Sequence, residues 1–197
     1  MANKNNTREL LLAVATELIY KKGYSGTSIR DVGMKAKMSN SLLYHYFKDK
    51  EDILFQIILA ESQELLGRLL DIEKRVEDPL DRLKEMFTIH IGHGLKKQSK
   101  ILVEELNWVT GKRKTTLNSY QQQIYGVYVR QLRSLTEEGR IQGVPPSVAA
   151  FSIFGMINWF YKWYKEGGAL STEEVSKALM KVAFYGLMGL EPNNGEV

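Results

Sequence analysis

Residues 39–54 read SNSLLYHYFKDKEDIL, with two tyrosines, a histidine and a phenylalanine set between small polar residues and a run of charges. At about 100° per residue, Ser39, Leu42, Leu43, Tyr46 and Phe47 fall on one side of a helix. Asn40, Ser41, Tyr44 and His45 fall on the other. The first side is apolar enough to bury. The second offers hydroxyls, an amide and an imidazole that nothing in the sequence satisfies internally, so it calls for a polar partner outside the chain.

Upstream, Thr7 to Lys22 carries Leu10, Leu11, Val14, Leu18 and Ile19 at helical spacing. It ends in Lys21-Lys22-Gly23, a cationic last turn followed by a C′ glycine. Tyr24 to Gly26 is a short link. Thr27 or Ser28 then caps a second helix, with Asp31 three residues past Ser28 completing a capping box. Ile29, Val32 and Ala36 form its inner side, Lys37-Met38 makes a turn, and Ser39 starts the quoted helix. Two short helices about three residues apart, the second with a polar outer face, form a helix-turn-helix pattern.

Downstream the helices lengthen. Asp49 caps one that starts at Lys50 and runs towards residue 74. Asp78-Pro79 starts another, which weakens at Gly92 and Gly94. A further piece over residues 97–110 is ended by Gly111, and a long helix follows from about 113 to 138. Pro145-Pro146 opens a helix to about Lys165, and Ser171 to Glu174 caps the last, which is expected to run to Gly189. No segment alternates as a strand does. The expected fold is all-α, with about nine helices and short loops.

Composition supports this reading. Hydrophobic residues make up 44% and charged ones 25%, ordinary globular values. No run of about 18 apolar residues predicts a membrane span. The first ten residues, MANKNNTREL, lack a secretory signal, and zero cysteines fit a reducing cytosol. The expected location is therefore cytoplasmic. The net charge of +4 is unevenly placed: residues 1–50 hold nine Lys/Arg against four Asp/Glu, and residues 51–197 hold eighteen against nineteen. A basic head on a near-neutral body suits a phosphate-rich partner.

The text KKGYSGTSIRDVGMKAKMSNSLLYHYFKDKEDIL (residues 21–54) resembles the DNA-binding domain of the TetR family of transcriptional regulators. It carries the glycine-aromatic link, the Thr-Ser helix start and the Leu-Tyr-x-x-Phe-x-x-Lys-Glu-x-x-Leu recognition end. Two positions depart from the family pattern: Gly33 stands where alanine is usual, and Met38 replaces a customary valine. The resemblance implies an all-α homodimer that binds double-stranded operator DNA. It places a helix-turn-helix domain over residues 1–50 and a ligand-binding and dimerisation domain over 51–197. Its last two long helices would pair across a two-fold axis.

A recognition helix enters the roughly 12 Å major groove with its N-terminal residues on base edges. Carried onto this sequence, that puts Asn40 and Ser41 at that end, Tyr44 one turn on, where its ring can pack on a thymine methyl or its hydroxyl can reach phosphate, and His45 beside it. Ser39, which starts the helix, is counted with the DNA-binding candidates. Lys48, if the helix continues, lies on the same side; Lys50, Thr27 and Ser28 are expected at phosphates, the last two through hydroxyls and helix-terminus N–H groups.

In residues 147–166, SVAAFSIFGMINWFYKWYKE, the stripe Phe151, Phe154, Gly155, Asn158, Trp159, Lys162 and Trp163 recurs at three- and four-residue steps. Such aromatic stripes more often form a core or a subunit interface than a ligand box. With the final helix, this one is expected to build a four-helix dimer interface. The string NWFYKWYKEGGALSTEEV also resembles a subset of the family that senses acyl-CoA thioesters. That resemblance implies a small-molecule effector, an acyl-CoA or another lipophilic ligand. Trp108, Tyr125, Tyr128, Phe154 and Trp159 are candidates for the apolar lining, and Arg130 and Lys162 for the CoA phosphates. A regulator of efflux or detoxification genes answering a drug-like ligand would use the same lining.

An enzyme is the competing class. His90 and His93 sit three apart, but a zinc site needs at least three protein ligands and no third stands nearby in the sequence. The adjacent pairs Glu104-Glu105 and Glu137-Glu138 point apart on a helix and suit solvated charge or caps. No phosphate loop or nucleophile elbow is present. The expectation is a regulator without catalytic residues, metal or cofactor.

Overall fold

The computed structural model describes residues 4–165 and 167–187. Among these are nine α-helices, one 3-10 turn and no strand. Helix α1 (Lys4–Lys22) buries Leu11, Ala15, Leu18 and Ile19 and stops at Gly23, whose φ of +74° suits a residue without Cβ. Helix α2 (Ile29–Ala36) has the expected capping box: Asp31 N–H donates to Ser28 Oγ at 3.1 Å, and Ser28 N–H donates to the Asp31 carboxylate at 2.8 Å. Helix α3 (Asn40–Tyr46) is capped by Ser39 Oγ, which accepts from Leu42 N–H at 3.2 Å.

The turn between α2 and α3 passes through Lys37 in the left-handed region, at φ 57° and ψ 41°. Lys37 N–H reaches Met34 O and Met38 N–H reaches Gly33 O, closing the end of α2. A side chain in that region costs about 1–2 kcal/mol, and glycine's greater freedom in the unfolded chain offsets part of the gain. Lys37→Gly is therefore expected to stabilise the protein by about 0.5–1 kcal/mol. A lower midpoint in thermal unfolding would overturn that assignment.

Helix α4 (Lys50–Arg75) begins where Asp49 Oδ1 accepts from Asp52 N–H at 2.6 Å. Helix α5 (Pro79–Gly94) has proline in its first turn and Asp78 as cap. Helix α6 (Lys97–Glu105) is shorter than the sequence suggests. A 3-10 turn over Leu106–Trp108 follows it, and Gly111, at φ +53°, opens helix α7 (Gly111–Glu137) instead of closing the preceding one. Helix α8 (Pro146–Trp163) and helix α9 (Thr172–Leu187) complete the order. The expected end of the last helix at Gly189 lies outside the described residues.

The chain divides into two compact units, residues 1–64 with 96–121, and residues 65–95 with 122–197. The first gathers Leu11, Leu18, Val32, Leu43, Phe47, Leu54 and Ile58 with Ile101, Val109 and Leu117 into one core. In the second, α5 packs on α8 and α9; Phe87 and Phe184 meet there with ring centroids 6.1 Å apart. No helix among the described residues is long and apolar enough to cross a membrane.

Candidate functional site

Helix α3 has seven residues, too few to be stable alone in water, so burial of one face holds it. Leu43 is 1% exposed and Phe47 2%, both in the core of the first unit. Asn40, Ser41, Tyr44 and His45 are all exposed, Tyr44 by 58%. Apart from Ser39, which was expected on the inner side and is exposed, the division expected from helical angle is the division observed.

Asn40 has a neighbour that the sequence does not reveal. A Cβ placed on Gly33 would stand 2.9 Å from Asn40 Oδ1 and 3.0 Å from Met38 O. The missing methyl at this departure from the family pattern makes room for the turn and for the Asn40 amide.

The other candidates in this unit differ in what they have left to offer. Thr27 is buried, and its hydroxyl donates to Gly23 O at 3.0 Å, so it has no proton for a phosphate. Ser28 spends its hydroxyl proton and its N–H on Asp31, which these bonds hold below the usual carboxylate range. What the start of α2 presents instead is the first-turn amides of Ile29 and Arg30, which have no acceptor within the helix. Helix α3 ends at Tyr46, so the helical-angle argument for Lys48 lapses. Lys48 is exposed in the link, and its N–H donates to Asp52 Oδ2 at 3.0 Å. Lys50 Nζ sits 4.0 Å from the centroid of the Tyr24 ring, and burial lowers its pKa.

An open concavity of about 510 Å³ joins these groups. Ser28, Ile29, Arg30, Asn40, Tyr44 and Lys50 line it, with Asp31 beside them. Sequence reasoning missed Arg30, an exposed guanidinium with no ion pair among the described residues. The signal available for it was its place in the first turn of α2. The concavity thus holds two cations, Arg30 and Lys50, together with Asn40 and Tyr44 of α3.

Glu105 of α6 and Arg113 of α7 steady this head. Glu105 Oε1 accepts from Tyr24 N–H at 3.0 Å, so this carboxylate holds the link after α1 and is neither a helix cap nor free solvated charge. Asp49, Glu51 and Asp52 crowd the start of α4, and Arg113 answers them, bidentate to Asp49 at 2.9 and 3.1 Å and within 4 Å of the other two. That guanidinium offsets the three negative charges at the start of α4.

The effector candidates separate in the same way. Trp108 belongs to the first unit, half exposed, with its ring 5.5 Å from that of Tyr24. In the second unit Tyr125, Tyr128 and Phe154 do come together, at centroid distances of 6.2 Å for Tyr125–Phe154 and 5.0 Å for Tyr128–Phe154. His90 joins them, 5.7 Å from Phe154 and 5.8 Å from Tyr128. Arg130 is committed to Glu73 by two bonds of 2.9 and 2.8 Å, which with Gln131 hold the Glu73 carboxyl below its ordinary range. Lys162 is exposed in the last turn of α8.

Trp159 points out. Phe151 and Trp159 are each 65% exposed, Trp163 is 50% and Val182 of α9 is 66%. On the opposite side of α8, Ile153, Ile157 and Phe160 are at most 1% exposed. Helix α8 therefore has a buried face of its own and a second apolar face that the described residues leave exposed.

Comparison with known proteins agrees with both halves of the chain. Residues 11–57 match the family described as bacterial regulatory proteins, tetR family. Residues 76–187 match that described as tetracyclin repressor-like, C-terminal domain. The HTH-type transcriptional repressor KstR2 of Rhodococcus jostii is 23% identical over 190 residues, 94% of this chain and 93% of that protein. An uncharacterized HTH-type regulator from the lacX 3′ region of Lactococcus lactis is 38% identical over 97 residues; the match spans 48% of this chain and 50% of that protein. Among solved structures, AibR in complex with isovaleryl coenzyme A and operator DNA superposes with a TM-score of 0.85 at 26% identity, over 90% of this chain and 98% of that one.

Proposed function

This chain belongs to the TetR family of bacterial transcriptional regulators, and on that premise we propose that it is a cytoplasmic homodimeric repressor released from operator DNA by a small lipophilic effector. The observation that carries the DNA-reading role is the exposed polar face of α3 beside the Arg30–Lys50 concavity. Asn40 and Ser41 lie at the end of α3 that leads into the groove, and Tyr44 lies one turn on. The Tyr44 ring can pack on a thymine methyl, or its hydroxyl can reach a phosphate. Arg30 and Lys50 supply the phosphate charge, and each phosphate neutralised adds about −0.9 to the slope of log affinity against log salt.

Duplexes selected from a random library by the purified protein are expected to contain a two-fold site with half-sites about 34–36 Å apart, or a multiple of that. Against the selected duplex, Tyr44→Ala is expected to weaken binding by about 1–3 kcal/mol, or about 5- to 150-fold, with the thermal midpoint unchanged. Wild-type affinity in fluorescence anisotropy would sink the assignment of this face.

The uncovered apolar face of α8, with Val182 of α9, supports pairing of two copies through these helices. For the effector, the cluster of Tyr125, Tyr128, Phe154 and His90 offers an aromatic wall, and the likeness to AibR supports an acyl-CoA as the first class to try. An effector that binds better to a form with badly spaced recognition helices shifts the dimer off DNA. Titration of short-chain, long-chain and aromatic acyl-CoAs against the operator complex tests this. Release by none of them would remove the acyl-CoA reading and leave the regulator in place.

A further inference from the structure

The second unit holds a buried polar group, His90, whose remaining hydrogen-bonding capacity bears on the effector. Its Nδ1 lies 3.1 Å from the Tyr128 hydroxyl, and that oxygen lies 3.1 Å from Met86 O. Two proton arrangements are open to this row. If Tyr128 donates to Nδ1, the imidazole proton sits on Nε2 and the row makes one bond. If Tyr128 donates to Met86 O, Nδ1–H donates to the tyrosine oxygen; the row makes two bonds and leaves only a lone pair over. The second makes both bonds of the row. It fixes His90 as the Nδ1–H tautomer, with Nε2 an acceptor.

Nε2 has no hydrogen-bond partner among the described residues, although His90 is only 9% exposed. Burial keeps the ring neutral, with a pKa lowered to about 3, and His93 acts in the same direction. Tyr128 is fully buried, and burial raises its pKa, so its proton stays available to hold the tautomer. The rings of Phe154 and Tyr125, both half-buried, continue the wall.

We propose that His90 Nε2 is the polar anchor of the effector site, an acceptor set in an aromatic wall that selects an apolar ligand bearing a neutral N–H or O–H donor. This rests on the effector reading above and narrows it. A carboxylate or phosphate has no proton to give and would meet a lone pair. An acyl-CoA offers the donor as an amide N–H of its pantetheine arm or as a hydroxyl on the acyl chain, and an alcohol or phenol offers it as O–H.

The test uses the full-length protein labelled with ¹⁵N at histidine and two matched pairs of probes. One pair is 4-hexylphenol and 4-hexylanisole; the other is N-hexylacetamide and its N-methyl analogue. At least one donor probe is expected to bind about two- to tenfold more tightly than its methylated partner, the value of one net hydrogen bond. It should also move the non-protonated ring nitrogen of the histidine whose signals are lost in His90→Gln. Preference in the phenol pair alone assigns an O–H donor, and preference in the amide pair alone assigns an N–H donor.

His90→Phe is expected to bind both members of each pair alike. Tyr128→Phe, which releases the tautomer, should shrink the preference without removing the ring, and it decides the matter if His90→Phe does not fold. No binding of any probe, equal binding within both pairs, or a preference unchanged in the folded variants overturns the proposal. Anisotropy with the selected duplex on the same preparations separates the two readings. A protein that binds DNA without donor preference loses only the His90 anchor, whereas one with the preference that fails to bind DNA loses only the operator reading.

Discussion

Trp159→Glu is expected to yield a folded monomer that binds its operator at least about 100-fold more weakly. The residue is 65% exposed on a helix whose opposite face is already buried, so the substitution removes nothing from the core of its own chain. Paired with a second copy through α8 and α9, each new carboxylate would lose its water among Phe151, Trp163 and Val182. A dimer on two half-sites gains about 10²–10⁴ from the second contact being intramolecular, and a monomer forfeits that gain. Sedimentation equilibrium should show the chain mass of 22.6 kDa in place of twice that value. A variant that keeps the dimer mass would place the subunit interface elsewhere.

Phe47→Ala should cost about 3–5 kcal/mol of stability, a large share of the 5–15 kcal/mol that usually holds a domain together. Phe47 is 2% exposed, shares a core with Leu11, Leu18, Val32 and Leu43, and has the Arg8 guanidinium 5.8 Å above its ring. Tyr44, three residues earlier, is 58% exposed, and its removal should change stability by no more than about 0.5 kcal/mol. The two variants thus separate folding of the head from recognition by it. Urea unfolding with operator binding measured in parallel is the check. A Phe47→Ala protein as stable as wild type would mean that α3 does not depend on this core.

The capping and turn chemistry was legible because it is local. Ser28 with Asp31, Asp49, Asp78 and Ser171 with Glu174 all cap helices as their spacing suggests. Gly111 was misplaced for the opposite reason. A glycine after an amphipathic run suits either the end of one helix or the start of the next, and only the 3-10 turn over Leu106–Trp108 decides between them.

Site residues were legible to the extent that exposure follows periodicity. The faces of α3 and α8 divide as the helical angle divides them. Whether a given polar group is still free depends on who its neighbours are. Thr27, Ser28 and Arg130 suited an anion by residue type, yet the hydroxyl protons of Thr27 and Ser28 are spent on Gly23 and Asp31, and Arg130 gives two of its five N–H groups to Glu73.

Sequence alone determined that this chain is all-helical, that a helix-turn-helix occupies its basic first quarter, and that Asn40, Ser41, Tyr44 and His45 form one outward face. These follow from interactions within about four residues, which a linear text records. Tertiary structure alone decided that Gly33 makes room for Asn40, that Arg30 and Lys50 share a concavity with Tyr44, and that His90 meets Tyr128 across 38 positions of chain. Those contacts depend on how separate helices pack, and residue spacing along the chain carries no record of it.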